Sequence, residues 1–384
     1  MTISTDAWVL HAGQPGETQR ASLVRESFEF SSLGNDEVLA APLYGCWEGN
    51  MDHALTRKPV DVCHHRGEDR VVLGNAGVVE VQEVGAAVTS VKRGQLAMIC
   101  ANAVFDRYGY PQLMLAYDAP GTMGILAKQS KFQGHCLIPL PDNTKYSLAQ
   151  WAAFSVRYST AWSNWRLAYG TLRLLLSKEE LPHPNVWAWG SGTALAELEL
   201  AGRDGCKCVM LSGNDKRLAT IKRCGIVAVD RRAIGDVNFD ERRFSTDLAW
   251  RKGYVQAENR LLEEVKRQTS GEGVNVFVDY IGESVFRATL KTLAREGIVT
   301  TAGWKTGQVI TMLRGMECIQ RHQHLHTHGA SNSEAIAAMR YGEAHGWMPN
   351  LADTRIYRFD EIPELAQAFA SSDHDVFPIF SVRD

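Results

Sequence analysis

The sequence predicts a two-domain α/β chain, with a doubly wound parallel sheet in its second half and a compact β-barrel in its first. Three observations predict it. Residues 185–230 alternate strand, glycine turn, helix, strand, helix, strand. The first 140 or so residues instead carry short apolar runs separated by turn residues, the pattern of a small barrel. And 384 residues are too many for one ordinary core.

Strands are expected at Ala7–Leu10, Glu37–Leu43, Arg70–Leu73, Val78–Val84 and Leu96–Cys100, with a further apolar stretch around His135–Ile138 that ends at Pro139 and Pro141. From Leu148 the period changes, and 150–154 and 160–168 read as helical. Asn185-Val-Trp-Ala-Trp189 is a buried strand, followed at once by Gly190-Ser191-Gly192 and a helix over 193–201. A second strand spans 206–211, a helix 216–224 with Asp215 as its N-cap, and a third strand 226–229. Residues 275–279 and 297–303 supply two more strands around a helix at 285–295. Helices near 333–344 and 360–371 and a last strand at 376–381 return to the first domain.

Composition excludes several classes of function. Hydrophobic residues make up 45% and charged residues 22%, an ordinary globular balance. A net charge of −3 gives no electrostatic case for nucleic acid or an anionic membrane as partner. No apolar run approaches the roughly 20 residues that span a bilayer, and no signal peptide is visible. Eight scattered cysteines without a Cys-x-x-Cys pair read as reduced and structural, which points to the cytoplasm.

A strand, a glycine turn and a helix place a phosphate at a helix N-terminus. Gly190, Ser191, Gly192, Thr193 and Ala194 are therefore candidates to hold a dinucleotide pyrophosphate, although the usual third glycine is replaced and the turn is short. An NAD enzyme would carry Asp or Glu at the end of the second strand; Ser212 stands there, followed by Asn214, Lys216 and Arg217. Cations at a helix N-terminus oppose its dipole, so Lys216 and Arg217 suit an anionic ligand, the 2′-phosphate of NADPH.

Gly74-x-x-Gly77-Val-Val-x-Val-x-x-Val-Gly85, then Gly94 before a strand, together with the order of elements, resembles the medium-chain dehydrogenase/reductase superfamily over nearly the whole chain. The resemblance implies a Rossmann domain over 161–329 and a GroES-like β-barrel catalytic domain over 1–160 and 330–384. Within it, Tyr117-Asp-Ala-Pro-Gly-Thr-Met-Gly124, Ala228-Val-Asp-Arg-Arg232 with a charged, aromatic insert from Ala233 to about Arg260, and His326-Thr-His-Gly-Ala330 look most like crotonyl-CoA carboxylase/reductases. It also implies that Thr160, Gly282, Ala302 and Gly303 line the cofactor, with Ser159, Trp162, Thr301, Trp304 and Lys305 nearby.

Zinc-dependent members need a Cys, a His and further Cys or Glu ligands. Cys46 stands where the first would, but Asn75 replaces the histidine and Ala76 follows it, so no metal is expected. His53, Cys63, His64 and His65 read as a solvated turn around a buried Cys, or else as a site of their own. His322, His324, His326 and His328 would share one face of an extended strand, either a polar cleft wall or a metal site.

Without zinc, hydride transfer to a C=C bond conjugated to a carbonyl remains open. The expectation is an NADPH-dependent reductase of an enoyl thioester (CoA or acyl carrier) or enone. Tyr44, Asn75, Asp118 and His328 are its catalytic candidates. Tyr117-Asp118 and His328 fall where carboxylating relatives hold CO2 with a Phe-Glu pair and a His. The alternatives are a reductive carboxylase, an alcohol/carbonyl oxidoreductase and a non-catalytic NADPH-binding protein. A homodimer or homotetramer is expected.

Overall fold

The computed structural model describes residues 2–14, 16–17, 19–303 and 305–383. The chain divides into two compact units, Met1–Ser159 with Ala330–Asp384, and Thr160–Gly329.

In the first unit, strands Leu137–Pro139, Leu96–Ile99, Gly77–Val84, Glu37–Cys46, Ile379–Ser381 and Ile356–Tyr357 run side by side, and Ser130–Gln133 also pairs with Glu37–Cys46. A three-stranded sheet of Val24–Ser31, Thr2–His11 and Arg70–Val72 lies with it in one core, which includes Val9, Val72, Val79, Ile99, Ile125, Phe132 and Phe380. Nearly every pairing is antiparallel; Ile356–Tyr357 against Ile379–Ser381 is parallel. Strand Val24–Ser31 was not expected. Its residues are mostly exposed, with Phe28 and Phe30 half-buried, so it reads weakly as a core strand.

Where a turn was expected, helices Gly49–Thr56 and Val62–Arg66 form. Asp61 caps the second by accepting from the Cys63 and His64 amides at 3.0 and 3.2 Å. Cys63 is buried and donates to the Leu10 carbonyl, and His64 Nε2 meets the Gly13 carbonyl at 2.7 Å. Residues 148–175 form one continuous helix, not two short ones. The polar residues that interrupt its apolar pattern are satisfied within it: Ser155 and Ser159 donate back to the Ala152 and Ser155 carbonyls.

In the second unit all six strands are parallel, in the spatial order Val227–Asp230, Lys207–Ser212, Asn185–Trp189, Val274–Asp279, Leu293–Thr301, His324–Thr327. The order reverses at the first strand, so the carboxyl ends of Asn185–Trp189 and Val274–Asp279 flank the crevice where such sheets bind ligands. The insert folds into helices Arg231–Ile234, Glu241–Thr246 and Leu248–Gln268. The last of these buries Ala257, Leu261 and Val265 against Trp187, Val209 and Phe277 of the sheet. The helix expected over 285–295 spans Glu283–Thr292, because Leu293 already opens the next strand. Asn214, not Asp215, caps the helix Asp215–Arg223, its side chain accepting from the Arg217 amide at 3.1 Å.

The chain re-enters the first unit through a polar clasp. Asn332 Oδ1 accepts from Cys100 Sγ and Asn102 Nδ2, each at 3.0 Å, and its Nδ2 donates to the His135 carbonyl at 3.0 Å. Asn102 Nδ2 also donates to the Ala330 carbonyl at 2.7 Å. Removing Asn332 takes the acceptor from the buried Cys100 thiol and from one N–H of the Asn102 amide. Asn332→Ala is therefore expected to lower stability by about 1–3 kcal/mol in urea unfolding; a change under roughly 0.5 kcal/mol, the scale of an ordinary surface substitution, would rule the clasp out as a structural anchor.

Candidate functional site

The glycine turn is two residues long. The strand ends at Trp189, and helix Gly192–Arg203 starts after Gly190 and Ser191. Gly190 adopts φ +129°, which an L side chain resists. A Cβ there would stand 3.2 Å from the Ala194 Cβ and 3.4 Å from the Tyr280 Cβ. Ala194 is thus the small residue that lets helix and turn approach. Ser191 occupies the N-cap and makes no side-chain capping bond, whereas Asn214, Asp230, Asp240, Asp247 and Ser331 each cap their own helices. The helix start at Gly192 and Thr193 therefore offers its amides to a ligand.

At the end of the second strand Ser212 is buried, and its Oγ accepts from the Asn214 amide at 3.3 Å. Asn214 is occupied in capping its helix. Lys216 is exposed, and its side chain has no hydrogen bond or ion pair among the described residues; Arg217 is half-buried. The register sets Ser212 opposite Asp230, so the next residue, Arg231, arrives beside the same strand end. A Cβ on Gly213 would lie 3.2 Å from Arg231 Nε, so the arginine lies across that glycine. Asp215 and Asp230 are both engaged by Arg232. Arg231, by contrast, has no acceptor among the described residues. It was not among the expected binding residues; the signal was its place immediately after the third strand.

The other carboxyl ends form a cavity of about 450 Å³ lined by Gly282, Thr301, Ala302, Gly303 and His328, with Phe286, Val299 and Leu325 as an apolar wall. Asp279 shapes its edge, accepting from the Ile281 and Gly282 amides at 2.9 and 3.1 Å. Burial pushes the Asp279 carboxyl above the usual range. Trp304 lies outside the described residues. Thr160 sits within the long helix, half-buried, and not at a helix start.

The histidines divide. Strand His324–Thr327 carries only part of the run, and His322 precedes it with φ +50°. The structure brings in a carboxylate that spacing did not suggest: Glu296 Oε1 lies 2.8 Å from His322 Nδ1, and Oε2 3.6 Å from His324 Nε2. Burial lowers the His326 pKa. Among the described residues no group of three or more His, Cys, Asp or Glu is arranged to hold a metal ion.

In the first unit Cys46 N donates to the Ala76 carbonyl at 3.0 Å, and Tyr44 pairs with Val78, so Asn75 lies next to the segment 44–48. Asn75 is 1% exposed, and both polar atoms of its amide lack a partner. Tyr44 is half-buried. Asp118 is used differently: its Oδ1 accepts from the Met114 amide at 2.5 Å and closes a local turn.

Beside Asn75 is a group the sequence did not reveal. Arg157, buried in the long helix, donates from Nη1 to Cys46 Sγ at 2.6 Å and to Glu48, and from Nη2 to the Trp47 carbonyl at 2.5 Å. A guanidinium thus engages Cys46, the residue expected at the first zinc-ligand position. Burial pushes the Glu48 carboxyl up to about 7 against the pull of Arg157, and the Cys46 thiol up to about 12.

No family model matches the sequence. A quinone oxidoreductase-like protein 2 homolog of Nematostella vectensis is 23% identical over 295 residues, which is 76% of this chain and 65% of that protein's length. Among solved structures, the 2-octenoyl-CoA carboxylase reductase CinF of Streptomyces, in complex with NADP and 2-octenoyl-CoA, superposes with a TM-score of 0.77 at 18% identity, covering 96% of this chain and 85% of that one. The crotonyl-CoA carboxylase/reductase AntE, in complex with NADP, gives 0.76 at 19% identity, covering 98% and 94%. A thermostable alcohol dehydrogenase from Pyrobaculum aerophilum gives 0.70 at 16% identity, covering 99% and 100%. At these identities the likeness is one of fold: a parallel Rossmann sheet joined to a GroES-like β-domain, the fold of the medium-chain dehydrogenases/reductases.

Proposed function

We propose that the chain is an NADPH-dependent reductase of a C=C bond conjugated to a carbonyl, acting on an enoyl thioester or enone without zinc. The observation that carries the NADPH assignment is a pair of cations, Lys216 and Arg231, whose side chains have no acceptor among the described residues, at the end of a second strand that presents Ser212 in place of an acidic residue. That arrangement suits a 2′-phosphate and would leave NADH with no charge to meet. The short turn with Gly190, and the helix start at Gly192 and Thr193, fits the pyrophosphate. Gly282, Ala302, Gly303 and His328 fit the nicotinamide end. NADP is also present in the CinF and AntE structures.

The bound nicotinamide supplies a hydride to the substrate's β-carbon. The chain's own part is to hold the substrate and move a proton. The Tyr44 hydroxyl is the proposed donor to the substrate oxygen or α-carbon. Asn75, buried with both amide atoms unpartnered, has hydrogen-bonding capacity left for a ligand or an ordered water. Thr160 is proposed to line the cofactor from the long helix. Arg157 supports the zinc-independent reading, because its guanidinium already neutralises Glu48 and occupies Cys46.

Reductive carboxylation is the second reading, favoured by what CinF and AntE are named for. The tie between Asp118 and the Met114 amide leaves that carboxylate less available for CO2 and supports plain protonation. Residues 1–160 with 330–384 are the proposed catalytic domain and 161–329 the cofactor domain. Eight free cysteines fit a cytoplasmic enzyme. No helix of the described residues is long and apolar enough to cross a membrane. Exposed Val309, Leu313, Met316 and Ile319 fit a surface covered in a homodimer or homotetramer.

Three outcomes are expected. NADPH is consumed with crotonyl-CoA or a longer enoyl thioester, and bicarbonate adds no mass to the product; a product heavier by one carboxyl group would instead establish carboxylation, and no turnover with enoyl thioesters or enones would sink the reductase. Arg231→Ala raises the Kd for NADPH roughly tenfold or more, the scale of one charge-assisted bond, and changes that for NADH little; equal effects would refute the cofactor assignment. Dialysis against a chelator leaves turnover unchanged, and metal analysis finds no stoichiometric zinc.

A further inference from the structure

Directly under the glycine turn lies a buried polar group that the proposed reaction does not use. The Tyr280 ring follows strand Val274–Asp279, whose Asp279 pairs with Trp189. It is bracketed by two glycines: a Cβ on Gly190 would stand 3.4 Å from the Tyr280 Cβ, and one on Gly303 3.8 Å from its Cδ1. The ring is thus the floor between two of the turns assigned to the dinucleotide. Its hydroxyl is anchored from below. Tyr280 donates to Glu197 Oε2 at 2.8 Å and accepts from Asn164 Nδ2 at 3.1 Å. Asn164 Nδ2 also reaches Glu197 Oε2 at 3.5 Å. Asn164 and Glu197 are both 0% exposed.

The cluster is one donor short. Glu197 Oε1 and Asn164 Oδ1 are buried, both are acceptors, and neither has a partner. A proton on Glu197 removes one orphan acceptor and supplies a donor. The surroundings favour that proton, because among the described residues no cation faces Glu197. The groups that act on it are Tyr280, from the end of the strand, and Asn164, from the long helix, both uncharged. An uncompensated buried carboxylate here would be costly in itself and would set a negative charge behind the phosphate site.

We propose that Glu197 is a positioning residue for the dinucleotide: held neutral, it fixes the Tyr280 floor through its hydroxyl and keeps negative charge away from the pyrophosphate. The proposal rests on the dinucleotide reading above. Burial pushes the Glu197 carboxyl up to about 8, with the Tyr280 and Asn164 hydrogen bonds pulling the other way. The sign follows. Below about 8 the group is neutral and sets no charge behind the phosphate site. Above it the carboxylate forms, the phosphate site loses its balance of charge, and affinity falls. The same raised pKa makes the folded chain lose stability as pH climbs from the ordinary carboxylate range through about 8.

The test is a titration of NADPH fluorescence against the full chain between pH 7 and 9.5, where a phosphate of second pKa near 6 is already ionised. The wild-type Kd is expected to rise above pH 8, by up to roughly tenfold per pH unit. In Glu197→Gln the rise should disappear. In Tyr280→Phe, which keeps the ring but removes a hydrogen bond favouring the carboxylate, the inflection should move to higher pH. Both variants are checked for folding by thermal unfolding at pH 7, so Tyr280→Phe carries the test if Glu197→Gln does not fold. An unchanged rise in Glu197→Gln, an unmoved inflection in Tyr280→Phe, or a flat wild-type curve would overturn the role of Glu197 while leaving NADPH binding intact. Failure of the wild type to bind NADPH at pH 7 would overturn the dinucleotide reading itself, and this inference with it.

Discussion

Much of the second unit follows from one steric constraint, the closeness of Gly190 to its neighbours. The parallel pairing of Asn185–Trp189 with Val274–Asp279 sets Tyr280 beside the turn, and the helix that leaves the turn brings Ala194 against it from above. A side chain at 190 would have to share space with both, in a backbone conformation it resists. Because the turn can be this short, the helix begins almost at the sheet edge and its free amides face the crevice. The cations near Ser212 and the apolar cavity beside Gly303 are then arrayed along one edge of one sheet. Loss of the usual third glycine matters less than the sequence suggests, since Ala194 occupies that contact with a single methyl group.

The first unit is organised around charge. A fully buried arginine is costly unless every donor has a partner, and Arg157 finds three different kinds: a thiol, a carboxylate and a backbone carbonyl. These partners are consecutive residues, so one side chain of the long helix fixes the whole Cys46–Glu48 segment. Beside it the Asn75 amide leaves both of its polar atoms unpartnered, and so does the Trp47 indole N–H.

What could be read from the sequence was mostly local. Asn185–Trp189 is apolar, buried at every position and bounded by glycine, so its strand and the turn after it were legible to the residue. The return helices expected at 333–344 and 360–371 were legible to within two residues at each end. What escaped was created by pairing between distant segments. Arg231 gains its place from the register of Ser212 with Asp230. Glu296 reaches His322 because the fifth and sixth strands lie side by side. Arg157, between the two stretches read as helical, drew no reading because its partners lie over a hundred residues away in sequence. The helix cap at 214 was misplaced by one position because Asn and Asp are equally good caps by type. Asp118, which aligned with a functional pair, spends one oxygen on its own loop, a bond that spacing alone does not announce.

The Arg157 cluster also constrains how such a chain can change over evolutionary time. A bound ion can be gained or lost while its ligands remain, but the cation of a covalently attached side chain cannot leave without a substitution. Replacing Arg157 alone strands Glu48 and Cys46 in a dry interior, and replacing Glu48 alone strands the guanidinium. Each single step is therefore unfavourable, and the steps are coupled. Such an arrangement is a ratchet in the fold: exchanging its partners for another set passes through intermediates less stable than either end.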